Sequence, residues 1–243
     1  MSRSSLVLAS TLEGLAGLGG IQPGTVRGGV GSQVYGALRR AIVDVVLVPG
    51  TALNESDVAQ QFGVSRTPVR EAFRSLLADG LLDVMPQKGT FASLLHRSAL
   101  RDALFVREAL ECAAVARATR APLSDRKVLL RIVERQRDAI RHEDREGSLG
   151  ADEELHRMIM VLAGHASAWE VVRQARTHLD RLRRIASTEL RGSEEALAFH
   201  EQIAAAVIAG DEVASVALLR EHIRQIEGFI ERIADIHPEY VGD

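Results

Sequence analysis

The amino-acid sequence predicts a mainly α protein in two parts: a compact N-terminal unit of three helices closed by a β-hairpin, and a C-terminal all-α bundle of six antiparallel helices. Three observations predict it. Apolar residues fill 46% of the 243 positions but aromatic ones only 4%, and Ala and Leu dominate the second half, which favours helix over sheet. Between residues 31 and 93, short helical patterns stand close together and are followed by a strand-turn-strand pattern. From residue 98 to residue 237 helical periodicity continues, with capping residues at the starts and glycines at the ends.

Residues 1–30 read as a flexible tail. The apolar stretch Ser4–Ser10 is too short for a signal-peptide core and runs into a glycine-rich segment. No apolar run approaches the ~20 residues that cross a bilayer. The single cysteine, Cys112, excludes an intramolecular disulfide, suits a reducing cytoplasm, and sits among alanines as core filler.

In the N-terminal unit, Val34, Leu38, Ile42 and Val45 recur at helical spacing, so Gln33–Leu47 is the first helix, ended by Pro49-Gly50. Asn54 is a good N-cap for a second helix, Glu55–Phe62, and Gly63 is its stop. Ser65 then caps a third helix, Arg66–Ala78. Pro68 falls in its first turn, where a missing N–H costs nothing. Two helices joined by so tight a glycine turn describe a helix-turn-helix. Leu82–Val84, a turn at Pro86–Lys88 and the return strand Gly89–Ala92 then form a wing.

The net charge of −3 means that any nucleic-acid binding must come from a local basic cluster. Arg66, Arg70 and Arg74 recur every four residues and line one face of the third helix, though an ordinary solvated basic face would share that spacing. Arginines near the start of a helix in a major groove can pair with guanine O6 and N7.

Pro49–Glu55, Val58-Ala59, Phe62–Ala72, Asp79-Gly80-Leu81 and Gly89-Thr90-Phe91 closely resemble the winged helix-turn-helix of the GntR family of bacterial repressors. The resemblance implies double-stranded operator DNA as a partner. It implies contacts from Ser65, Arg66, Thr67 and Arg70 on the recognition helix and from Lys88 and Gly89 on the wing.

The second part, residues 98–237, divides by its caps into helices at Ala99–Arg120, Asp125–Glu146, Ala151–Ala163, Ala168–Arg191, Glu194–Ala209 and Glu212–Asp235. Ser98, Ser124, Ser167, Ser193 and Asp211 mark starts. Gly147, Gly164, Gly192 and Gly210 mark ends, and Ser167 with Glu170 has the pattern of a capping box. His96, His142, His165, His178 and His237 lie in ordinary settings. His156, His200 and His222 instead point into apolar stripes, where an unpaired imidazole is costly. Asp152 shares a helix face with His156. This set could hold one divalent ion, Zn, Ni or Mn, or be separate core histidines with private hydrogen bonds.

Asp152–His156, Phe199-His200 before Ala209-Gly210-Asp211, and Arg220–Ile223 resemble the sensor domain (FCD) of the FadR-type branch of that family. A count of six helices looks like its VanR-type subgroup. The resemblance implies a divalent metal on Asp152, His156, His200 and His222 beside an effector pocket. Leu104–Glu111 is similar to the branch's first sensor helix, which would let Arg107 face a ligand carboxylate, unless it is a surface arginine paired with Glu108 or Glu111. His165, followed by Ala166, departs from the family's usual asparagine before proline. The expectation is a cytoplasmic homodimeric repressor, not an enzyme, responding to a small carboxylate metabolite. Its rivals are a metal-dependent hydrolase and a regulator with a purely structural metal.

Overall fold

The computed structural model describes the backbone of residues 29–189 and 192–243, and side chains there except over 187–193. Most of the expected tail, residues 1–28, and the side chain of the expected cap Ser193 lie outside the described residues. The chain forms two compact units. Among the described residues, one holds residues 29–96 together with Ala234–Asp243, and the other is Arg97–Ile233.

The first unit contains α1 (Val30–Val43), β1 (Ala52–Leu53), α2 (Glu55–Phe62), α3 (Arg66–Ala78), β2 (Leu82–Met85), β3 (Gly89–Ala92) and β4 (Leu95–His96). The first helix ends at Val43, short of the expected Leu47. Val45 takes a left-handed φ of 60° there, and the Leu47 N–H returns to the Ala41 carbonyl at 2.9 Å. The turn keeps Leu47 in the core, 1% exposed, which explains why its apolar side chain looked helical.

The boundaries around the helix-turn-helix follow the expected chemistry. The Asn54 side chain accepts the Ser56 N–H at 2.8 Å. Gly63 closes α2 with φ 66°, a conformation that costs a Cβ-bearing residue more. Ser65 occupies the N-cap position of α3, but its hydroxyl makes no capping bond. The wing has one strand more than expected. Its sheet runs β1-β3-β2, all antiparallel, with Ala52 opposite Phe91 and Val84 opposite Thr90. Two residues are too few for β1 to show a period of its own. Val34, Leu38, Ile42, Val58, Phe62, Val69, Phe73, Leu76 and Leu81 form the core of this unit. The C-terminal β5 (Val241–Gly242) pairs parallel with β4.

The second unit is built of α4 (Arg97–Ala118), the single turn α5 (Leu123–Arg126), α6 (Val128–Arg141), α7 (Arg145–Leu162), α8 (Trp169–Ala175), α9 (Thr177–Glu189), α10 (Gly192–Ala209) and α11 (Glu212–Ile236). α11 runs on into the first unit. The all-helical expectation holds, with shifts in where helices begin and end, and the helix expected over Asp125–Glu146 is already broken at Lys127 between α5 and α6. The second predicted helix stops at Arg141 and the third starts at Arg145, because Glu143 turns the chain with φ 57° and Asp144 caps the Gly147 N–H at 2.9 Å. Gly147, expected as a stop, therefore lies in a first turn. Ser167 does not build a capping box. It sits in a 3₁₀ turn, Ala166–Ala168, while Glu170 pairs with Arg173. The helix expected over Ala168–Arg191 is divided at Arg176. Asp211 caps the Ala214 N–H at 2.9 Å as its position suggested. Gly164 and Gly210 close their helices with φ 80° and 78°. No described helix is long and apolar enough to cross a membrane.

The Asn54 cap generates a direct prediction. Asn54→Ala removes an acceptor from an otherwise unsatisfied helix N–H and is expected to cost about 1 kcal/mol. Asn54→Asp should restore most of it. Chemical denaturation checks both, and equal stability of all three proteins would refute the role of the cap.

Candidate DNA-reading face and buried metal centre

α3 buries Val69, Ala72, Phe73 and Leu76 against the core of its unit. Its opposite side therefore faces solvent. Ser65, Arg66, Thr67, Arg70 and Arg74 are all exposed there, and so are Lys88 and Gly89 at the tip of the wing. The tip is tight: the Lys88 N–H returns to the Met85 carbonyl at 3.0 Å, with Gln87 at φ 61° and Gly89 at φ 121°.

One functional candidate escaped the sequence reading. The Glu55 carboxylate accepts from Arg66 Nη2 at 3.4 Å and from Arg70 Nε and Nη2 at 3.3 Å. A pair this exposed adds little stability. Its effect is to hold two recognition-helix guanidiniums on one side. Only the packing of α2 on α3 brings Glu55 there, so no helical spacing could have shown it.

Inside the second unit, Asp152, His156, His200 and His222 come together from α7, α10 and α11. Each offers one ligand atom, all four atoms lie within 4.8 Å of one another, and all four residues are buried. His200 Nε2 is 3.2 Å from His222 Nε2, which is 3.3 Å from His156 Nε2. His200 Nε2 is 3.4 Å from Asp152 Oδ1. Neighbouring donors on a divalent ion with bonds of roughly 2.0–2.2 Å stand about 3.0–3.5 Å apart. The set is therefore spaced as ligands are.

The surrounding groups select the state a metal needs. Burial, against the pull of Asp152, pushes the His200 imidazole down to about 3. Burial also lowers His156 and His222, so these rings are neutral near pH 7. His200 Nδ1 is 2.7 Å from Gln136 Oε1, and His156 Nδ1 is 2.6 Å from Glu111 Oε2. Each acceptor holds the Nδ1 proton and leaves Nε2 a lone pair aimed at the cluster. His222 turns its Nε2 toward both His200 Nε2 and His156 Nε2, and a cation among the three would meet a lone pair from each ring once His222 carries its proton on Nδ1. His222 Nδ1 has no partner in the structure. Burial raises Asp152 and Glu111, but their cationic neighbours outweigh it and hold both carboxylates ionised. Those neighbours are Arg183 for Asp152 and Arg107 for Glu111, to which the His156 Nδ1–H also donates a hydrogen bond. Arg183 clamps both oxygens of Asp152.

Arg107 is not a surface arginine. It is fully buried and pairs with Glu111 through Nε at 2.7 Å. Its Nη2 lies 3.3 Å from His156 Nε2, so it joins the cluster, and its Nη1 has no partner. Gln136, Arg176 and Arg183 are further members that the sequence reading passed over. Cys112 is buried filler as expected, its thiol pushed up to about 11 by burial.

The comparisons with known proteins cover both halves of the chain. Residues 31–92 match the profile of bacterial regulatory proteins of the gntR family, and residues 102–225 match the FCD domain. An uncharacterized HTH-type transcriptional regulator in an unstable DNA locus of Streptomyces ambofaciens is 36% identical over 85% of this chain and 87% of its own length. The HTH-type transcriptional repressor RspR of Escherichia coli (strain K12) is 29% identical over 88% of this chain and 94% of its own. The solved structure of E. coli McbR/YncC covers 85% of this chain and 99% of its own with a TM-score of 0.68, and at 22% identity supports the fold. These relatives regulate transcription rather than catalyse a reaction, and nothing in them supports a metal-dependent hydrolase. The chain belongs to the GntR family of bacterial transcriptional regulators, with a winged helix-turn-helix for DNA and an FCD domain as its C-terminal part.

Proposed function

We propose that this regulator is a cytoplasmic homodimeric repressor whose operator affinity is set by a small carboxylate bound beside a divalent metal. The observation that carries the reading is the convergence of three neutral imidazoles and one carboxylate at ligand spacing. Asp152, His156, His200 and His222 hold the ion, which is Zn, Ni or Mn by its mixed N/O donors. The ion supplies a positive centre in a low-dielectric interior, where an anion is attracted far more strongly than in water. Arg107, buried beside His156 with Nη1 unpaired, adds a hydrogen-bond donor to the same carboxylate.

Ser65, Arg66, Thr67 and Arg70 read the operator from α3, and Lys88 and Gly89 contact it from the wing. Two copies of the head related by a two-fold axis require an inverted-repeat site.

Base reading predicts that Arg66→Ala and Arg70→Ala each cost about 1–3 kcal/mol for the specific operator and much less for unrelated DNA. A phosphate contact would weaken every sequence alike and reduce the salt dependence. Operator affinity unchanged in both variants would remove α3 from the interface.

Metal bound only by the folded state must stabilise it. Chelation is therefore expected to lower the melting temperature, and His200→Ala to abolish metal binding while the DNA head stays folded. Metal-replete protein that carries only a trace of metal per chain refutes the site.

The regulatory reading is tested by paired titrations of a carboxylate panel into the protein, with and without operator. A coupling of about 1–3 kcal/mol is expected, with ligand weakening DNA binding and operator weakening ligand binding by the same factor. A carboxylate that binds equally well in both titrations leaves the metal as a structural element only.

A further inference from the structure

We infer that the buried site accepts a small dianion, with one anionic group at the metal cluster and the second held by Arg176. The inference rests on the metal-and-carboxylate reading above and deepens it. Arg176 sits at the junction of α8 and α9, 3% exposed. Its Nε pairs with Asp180 at 2.8 Å, and its Nη2 lies 3.5 Å from Asp152 Oδ2, so its guanidinium adjoins a ligand residue. Its Nη1 is buried with no hydrogen-bond partner. Arg107 repeats the pattern on the His156 side of the cluster, with Nη2 against the ring and Nη1 unpartnered. A buried guanidinium N–H without an acceptor carries a desolvation cost that the fold leaves uncompensated. Two such donors flank the same turn of α7, because Asp152 and His156 are one helical turn apart.

The donors ask for the same ligand. Arg107, Arg176 and Arg183 each pair with a carboxylate of Glu111, Asp152 or Asp180, yet Nη1 of Arg107 and of Arg176 stays without an acceptor. A monocarboxylate at the metal can answer one of these groups. A dicarboxylate, or a carboxylate carrying a phosphate, supplies acceptors to both.

The protein carries its own reporter for the second subsite. Trp169 is the chain's single tryptophan, it is 7% exposed, and the Arg176 guanidinium lies over its ring at 5.5 Å. An anion that draws on Arg176 changes the electrostatic environment of that indole, whereas an anion confined to the metal does not touch its cationic neighbour.

The experiment compares succinate with butyrate, equal in carbon number, on metal-loaded protein by calorimetry and by Trp169 fluorescence. Phosphoglycolate tests phosphate at the second position. Succinate or phosphoglycolate is expected to bind at least about tenfold more tightly than butyrate and to shift the Trp169 emission, which butyrate leaves unchanged. Arg176→Gln is expected to bring the dianion and butyrate affinities, both measured on the metal-loaded variant, to within about twofold of each other, so that the lost preference rather than an absolute affinity is the readout. Arg176→Lys keeps the buried charge and, should the Gln variant not fold, is expected to retain part of the preference. Butyrate binding as tightly as both dianions, with the same emission response, overturns the second subsite while the carboxylate reading stands. If no carboxylate binds the metal-loaded protein, both fall together.

Discussion

A charge taken out of water must meet an opposite charge and hydrogen bonds, or the fold loses several kcal/mol. Inside the second unit that requirement joins nearly every helix. Asp152 on α7 is held by Arg183 on α9 and approached by Arg176 at the α8–α9 junction. Glu111 and Arg107 on α4 pair with each other and reach His156 on α7. Gln136 on α6 holds His200 on α10, which faces His222 on α11. The apolar stripes of these helices bring them together without specifying register tightly. The polar groups specify it, because a displaced helix would leave a guanidinium or a carboxylate buried alone.

The same constraint prepares the site chemically. An imidazole binds metal through a lone pair, so a protonated ring is useless there. Burial lowers all three imidazoles, and Glu111 and Gln136 each engage an Nδ1. Charge state, and for His156 and His200 the tautomer, are thus set by packing before any ligand arrives. Arg183 has the opposite effect on the anionic member. Its clamp keeps Asp152 ionised but divides the carboxylate's charge, which leaves the cluster less negative than its composition suggests and readier for an anionic ligand.

How much of this was legible depended on whether the signal was local. The Asn54 cap, the Gly63 stop and the hairpin are local, and they stand where the sequence put them. Asp152 and the histidines were legible because polar groups interrupt apolar stripes, and the structure brings them together. Gln136 carried that same signal, aligned with buried Leu129, Ile132 and Val133, and was passed over. Arg107 was ambiguous, since an arginine beside two glutamates fits a surface helix equally well. Only the packing of α4 on α7 buries it. The break between α6 and α7 was misplaced because glycine was taken as the stop. The chain turned instead at Glu143 and used Gly147 inside the cap.

The two groups of arginines show why one residue type can serve both halves. On α3, Arg66 and Arg70 are 60% and 53% exposed and share Glu55 at 3.3–3.4 Å. Such a pair contributes at most about 1 kcal/mol, so a DNA phosphate or a guanine edge can take either guanidinium from Glu55 at little cost. In the second unit, separating Arg107 from Glu111 would strand two buried charges, a loss on the order of 3–5 kcal/mol. A ligand there cannot profitably displace Glu111. It must bind the N–H groups that the fold leaves unpaired, Nη1 of Arg107 and of Arg176. On the reading proposed above, exposure makes the DNA face exchangeable and burial makes the site in the second unit selective, because only a ligand that matches the unpaired donors could enter without breaking what holds the helices in register.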